Sequence, residues 1–148
     1  MDVVADLDAP CAPNELFAVV GDLERYPDWL SIVPRAVPDG VGDDGAPAWA
    51  VELRGRLGPL ARSKRLRMVR TVDDAPTHVR FERREHDGRD HSAWVLDASV
   101  HEHPDGSRLE MRLHYGGSFG GVLLERMLRD EIERSKPRLL ALLAGAAR

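Results

Sequence analysis

The stretch APNELFAVVGDLERYPDWLSIVPRAV, Ala12 to Val37, decides how the rest of the chain is read. Pro13 or Asn14 starts a helix, with Leu16, Phe17 and Val20 as its apolar stripe. Gly21 and Asp22 interrupt that stripe. A second short helix then carries Tyr26, Trp29 and Leu30 and ends near Ile32, with Pro27 in its first turn.

On both sides of this stretch the pattern is that of strands. DVVADLDA (Asp2 to Ala9) reads as a first strand. After it, the apolar period changes from helical to two. Trp49, Val51 and Leu53 share a face opposite Glu52, Arg54 and Arg56. Val79 and Phe81 oppose Arg80 and Glu82. Trp94, Leu96, Ala98 and Val100 share a face, as do Leu109, Met111, Leu113 and Tyr115. Such strands pair antiparallel, with one side buried. Turn signals stand at Gly58-Pro59, Asp87-Gly88 and Pro104-Asp105-Gly106. A two-residue turn at Gly58-Pro59 pairs Val51 with Leu66, Trp49 with Met68 and Glu52 with Arg65. A two-residue hairpin at Asp87-Gly88 pairs Phe81 with Trp94 and Val79 with Leu96. The Gly-rich Pro38 to Ala48 reads as a flexible loop. From Gly121 a long amphipathic helix follows, with Leu124, Leu128, Ile132, Leu139 and Leu142 on one side; Pro137 predicts a kink near Glu133 to Ser135.

The 148 residues fit one domain, 1–148, and the hydrophobic fraction of 43% supplies one core. Cys11 is the only cysteine, which excludes an internal disulfide and a thiolate cluster. The acidic N-terminus does not read as a signal peptide, and no run is long and apolar enough to insert into a membrane. A cytoplasmic setting is expected. The net charge of -4 argues against a general nucleic-acid binder. ARSKRLRMVR (Ala61 to Arg70) is locally basic but reads as a strand: Leu66 and Met68 point to the core, Arg65 and Arg67 to water, and Arg62 and Lys64 share the inward parity near the strand end.

Strand, two short helices, a run of antiparallel strands and one long helix is an uncommon order. It resembles the helix-grip fold of the SRPBCC, or START-like (Bet v 1-like), superfamily. The D-x-E-x-Y-P-x-W pattern of its opening is matched by Asp22, Glu24, Tyr26, Pro27 and Trp29, and GGSFGGVLLERMLRDEIERSKPRLLALL resembles its closing loop and helix. Within it, the polyketide cyclase/dehydrase and coenzyme Q-binding-like branch is most similar. The resemblance implies an α+β fold: a curved antiparallel sheet of about seven strands, two short helices after strand 1 and a long C-terminal helix. It also implies an apolar cavity between sheet and helix that holds a lipid, quinone or polyketide-like molecule.

By parity, the candidate ligand-binding residues are Trp49, Val51, Leu66, Met68, Phe81, Arg83, Trp94, Leu96, Met111, Leu113 and Tyr115, with Leu128 and Ile132 facing them from the helix. Arg62, Lys64 and Arg83 are candidate rim groups for an acidic or carbonyl end. No catalytic residue, cofactor or metal ligand is assigned. His101 and His103 share a strand face but have no evident third ligand, and Cys11 has no evident base. Beside the binding or carrier reading stand two others: an enzyme of the cyclase/dehydrase type, and a protein or RNA interaction module using the outward row Arg54, Arg56, Arg65 and Arg67.

Overall fold

The computed structural model describes residues 1–146. The elements run β1 (Asp2–Ala9), α1 (Pro13–Val20), a 3-10 helix (Leu23–Asp28), β2 (Arg35–Val41), β3 (Pro47–Leu57), β4 (Leu60–Asp74), β5 (His78–Arg83), β6 (Trp94–His103), β7 (Gly106–Tyr115) and α2 (Gly121–Ala146). The strands form one curved antiparallel sheet in the order β1-β7-β6-β5-β4-β3-β2. Its apolar face packs against α2, α1 and the 3-10 helix, giving the helix-grip fold.

Pairing through the Gly58-Pro59 turn follows the alternation. Val51 faces Leu66, Trp49 faces Met68 and Glu52 faces Arg65. The Glu52 carboxylate, however, accepts from Arg54 at 2.9 Å. The Asp87-Gly88 expectation needs correction. Phe81 pairs with Leu96 and Val79 with Ala98, two residues from the expected register, and β5 and β6 end at Arg83 and Trp94. The two-residue hairpin turn does not form; the chain bends over 86–88, with Gly88 at φ +69 and the Asp87 side chain accepting from the Arg89 N–H at 3.0 Å. Side chains, not a ladder, close the segment around it. Arg83 Nε donates to Glu85 at 3.0 Å and its Nη1 to the Ser92 carbonyl at 3.2 Å. A shift of two preserves parity, so each residue keeps its face.

Three other expectations change. The supposed loop over Pro38 to Ala48 is mostly strand, because β2 adds to the free edge of β3; an edge strand tolerates Pro38, and a bulge lies between Pro38 and Val41. The second short helix is 3-10 and ends at Asp28, and Asp22 caps it by accepting from the Glu24 N–H at 3.0 Å. Arg67 does not reach water. It is buried, donates to the carbonyls of Arg84 and Val41, and lies 3.4 Å from the Asp39 carboxylate without hydrogen-bond geometry at Nε. The segment after β5 and the end of β2 cover that part of the outer face.

The D-x-E-x-Y-P-x-W residues join helix to sheet. Tyr26 is wholly buried and donates to the Val20 carbonyl at 2.7 Å. Its ring lies 4.9 Å from that of Trp29 and 6.2 Å from Phe81. Glu24 accepts from the Trp49 indole at 3.3 Å. Arg70 stacks over Trp49 at 5.8 Å and donates to the Gly21 carbonyl. In α2 the stripe is Leu124, Leu128, Ser135, Leu139 and Leu143, all buried; Ile132 and Leu142 are half-buried. Leu143, not Leu142, takes the deep position. The helix continues through Pro137, and the Ser135 hydroxyl donates to the Ile132 carbonyl at 2.6 Å.

Gly106 sits at φ +138, where a Cβ would come within 2.5 Å of the Ala9 carbonyl and 2.8 Å of the Cys11 nitrogen. Backbone cannot yield as a flexible side chain can. Gly106→Ala is expected to cost about 2 kcal/mol or more, read as a lower urea midpoint with an unchanged slope.

Candidate functional site

Between the sheet and α2 lies a cavity of about 450 Å³. Its existence follows from side-chain size and helix position. Leu96, Met111, Leu113 and Ile132 all face inward, yet none is fully buried. The side chains of sheet and helix do not meet across the middle, and the surface they leave uncovered faces the cavity. At Gly55, a Cβ would lie 2.6 Å from the Met127 Cε, so the absent side chain lets Met127 reach across to β3.

Ten of the candidate residues line this space: Val51 from β3, Leu66 and Met68 from β4, Trp94 and Leu96 from β6, Met111, Leu113 and Tyr115 from β7, and Leu128 and Ile132 from α2. Trp94 and Tyr115 are register partners with ring centroids 4.6 Å apart. Trp49, Phe81 and Arg83 lie outside the lining. Phe81 and Trp49 meet edge to face at 5.6 Å within the aromatic cluster around Tyr26. Arg83 is held by Glu85 and Ser92 and lines a separate, polar groove beside the 84–93 segment.

Alternation along strands did not identify several residues on the lining. Leu23, Tyr26, Trp29 and Leu30 come from the 3-10 helix and the chain just after it, and Phe119 from the connection to α2. Their signal was present only as large apolar residues in segments without a strand period.

The polar groups on the lining are few. Burial and the nearby Arg83 guanidinium lower the Lys64 ammonium from its ordinary value, with Glu85 acting the other way. Arg62 lies over the Phe119 ring at 5.9 Å. The one acidic residue there, Asp6, has its carboxylate engaged by Arg108 at 2.7 Å. Burial, with Asp22 nearby, pushes the Tyr26 phenol up, so it stays neutral. The buried indole N–H groups of Trp29 and Trp94 have no partner among the described residues. No histidine, cysteine or glutamate is among the described lining residues. Cys11 lies elsewhere, its thiol raised by burial and by Glu15, which disfavours the nucleophilic thiolate. His101 stands near Glu110 and His103 near Asp8. Such a surface suits an apolar molecule with few polar atoms.

The groove behind Arg83 yields a test of its own. Burial raises the Glu85 carboxyl, but hydrogen bonds from the Arg67 N–H and the Arg83 guanidinium outweigh this and hold it below its ordinary 4.5. A depressed carboxyl stabilises the fold above the unfolded-state value and loses that contribution as pH falls through the folded one. Stability of the native protein should therefore fall more steeply than that of Glu85→Gln below about pH 4.5, with parallel curves at neutral pH. Urea midpoints across that range measure it.

The same architecture occurs in known proteins. The family model described as polyketide cyclase / dehydrase and lipid transport matches residues 1–143. Among solved structures, a START superfamily protein from Mycobacterium smegmatis is similar with a TM-score of 0.73 at 14% identity, covering 98% of each chain. TTHA0849 from Thermus thermophilus has a TM-score of 0.67 at 19% identity, over 96% of this chain and 99% of that one. The di-domain ARO/CYC StfQ from the steffimycin biosynthetic pathway has a TM-score of 0.69 at 12% identity, over 99% of this chain and 52% of that one. Among curated proteins, none matches. At such identities the structural likeness speaks to the fold alone.

Proposed function

Because the chain belongs to the polyketide cyclase / dehydrase and lipid transport family, we propose that it binds or carries a small, largely apolar molecule in the cavity between the sheet and α2. The observation that carries this reading is the cavity of about 450 Å³ with its largely apolar lining. That volume falls within the range of about 300–1,000 Å³ typical of small-molecule sites. Removing apolar ligand surface from water contributes roughly 25 cal/mol per Å² before the costs of ordering. Val51, Leu66, Met68, Leu96, Met111, Leu113, Leu128 and Ile132 supply that surface, and Trp94 and Tyr115 add flat aromatic contact.

Binding is favoured over turnover by the titratable groups. An enzyme of the cyclase type moves protons with positioned acid and base groups. Tyr115 and Ser135 are the hydroxyls nearest that role, and Ser135 already donates to Ile132. A dye that fluoresces in apolar surroundings tests the reading. It should bind with one-to-one stoichiometry and be displaced by long-chain lipids or aromatic polyketides. A dye signal no larger than that given by a similar-sized protein without such a cavity would remove it.

A further inference from the structure

We propose that the cavity mouth receives an anionic head, so that the preferred ligand is a single-chain amphiphile ending in a carboxylate, with the carboxylate between Arg62 and Lys64. This rests on the cavity-binding reading and adds the ligand's charge to it. Four cationic residues touch the cavity. Two are already neutralised: Arg54 pairs with Glu52 at 2.9 Å and Lys136 with Glu133 at 2.8 Å. Arg62 and Lys64 form no ion pair with any described residue. They stand two apart on β4 and therefore share a face. Opposite them on β3 are Gly55 and Leu53, which offer no carboxylate. β5 pairs with β4 only as far as Met68, so this end of β4 has a neighbour on one side only.

Two further features fit a head group seated there. The Arg62 guanidinium lies over the Phe119 ring at 5.9 Å, both residues are exposed and both line the cavity, and the stacked geometry leaves the N–H edge available to a carboxylate. Lys64 also stands near the Arg83 guanidinium, and an arriving anion would offset that like-charge repulsion. A neutral ligand would leave two like charges at the mouth of an apolar space with only Glu85, already bonded to Arg83, acting on Lys64 in the opposite sense. The tail of the amphiphile would then run past Met68 toward Leu128.

The experiment uses the whole protein and three probes of one chain length: palmitate, its methyl ester and hexadecylamine, each below its aggregation concentration. Displacement of the apolar dye measures affinity. Palmitate should bind at least about tenfold tighter than the ester, with the amine weakest. Raising the salt should shrink that preference. Arg62→Gln with Lys64→Gln should bring the ratio of palmitate to ester affinity down to about one; both residues are exposed, so the fold should survive, and an unchanged urea midpoint checks this. Equal binding of acid and ester to the native protein, or a preference that persists in the double variant, overturns the head-group site and leaves the cavity reading standing. Failure of all three probes to bind overturns both.

Discussion

Tyr26→Ala should destabilise the protein by about 3–5 kcal/mol, the range for deleting a large buried aromatic side chain. Tyr26 is wholly buried, and its ring touches both the helical segment and the sheet through Trp29 and Phe81. Removing it opens a void where α1, the 3-10 helix and β5 meet. Tyr26→Phe separates ring from hydroxyl. It keeps the packing but leaves the Val20 carbonyl without its donor at 2.7 Å, at a cost of about 1–3 kcal/mol. Urea unfolding of the three proteins gives both numbers. If Tyr26→Ala cost no more than Tyr26→Phe, the junction would be held by the hydroxyl alone and the packing account would fail.

Met111→Trp should lower affinity for the apolar dye more than tenfold while changing stability by less than about 1.5 kcal/mol. Overpacking is expensive where a core is already full. Met111 is different: it faces inward, is only half-buried and lines the cavity, so a larger side chain has somewhere to go. The expected pattern, lost binding with retained stability, separates a binding cavity from a core gap. A large loss of stability with Met111→Trp would mean that the space is not available to a ligand either. Phe81 supplies the contrast, since it is wholly buried and away from the lining; Phe81→Leu should lower stability and leave dye binding intact if the variant is assayed where it remains folded.

How much of this was legible in the sequence depended on whether the signal was local. The alternation of Trp49, Val51, Leu66 and Met68 determined both face and register of β3 and β4, because a two-residue turn at Gly58-Pro59 leaves one pairing that keeps both apolar faces together. The same reasoning placed β5 and β6 on the correct face but two residues off. Side-chain bonds from Arg83 to Glu85 and Ser92 hold the chain between them, and no periodicity reports such bonds. Parity says which way a residue points but not what it meets. Phe81 and Leu96 both point inward, yet Phe81 meets Tyr26 and Trp49 while Leu96 meets the cavity. The difference is set by where the 3-10 helix covers the sheet. Arg67 failed for a related reason: its outward parity was right, but later segments of chain close over it. Trp29 and Phe119 reach the lining from irregular segments, where no strand or helix period exists to point them.

The most direct measurement of the central claim is denaturing extraction of the purified protein followed by mass spectrometry of whatever is released. A largely apolar compound in stoichiometric amount, absent from a Met111→Trp preparation made in the same way, is the predicted result. An empty extract, together with no thermal shift across fatty acids, quinones and aromatic polyketides, would contradict it and leave the cavity as an unfilled gap in the core.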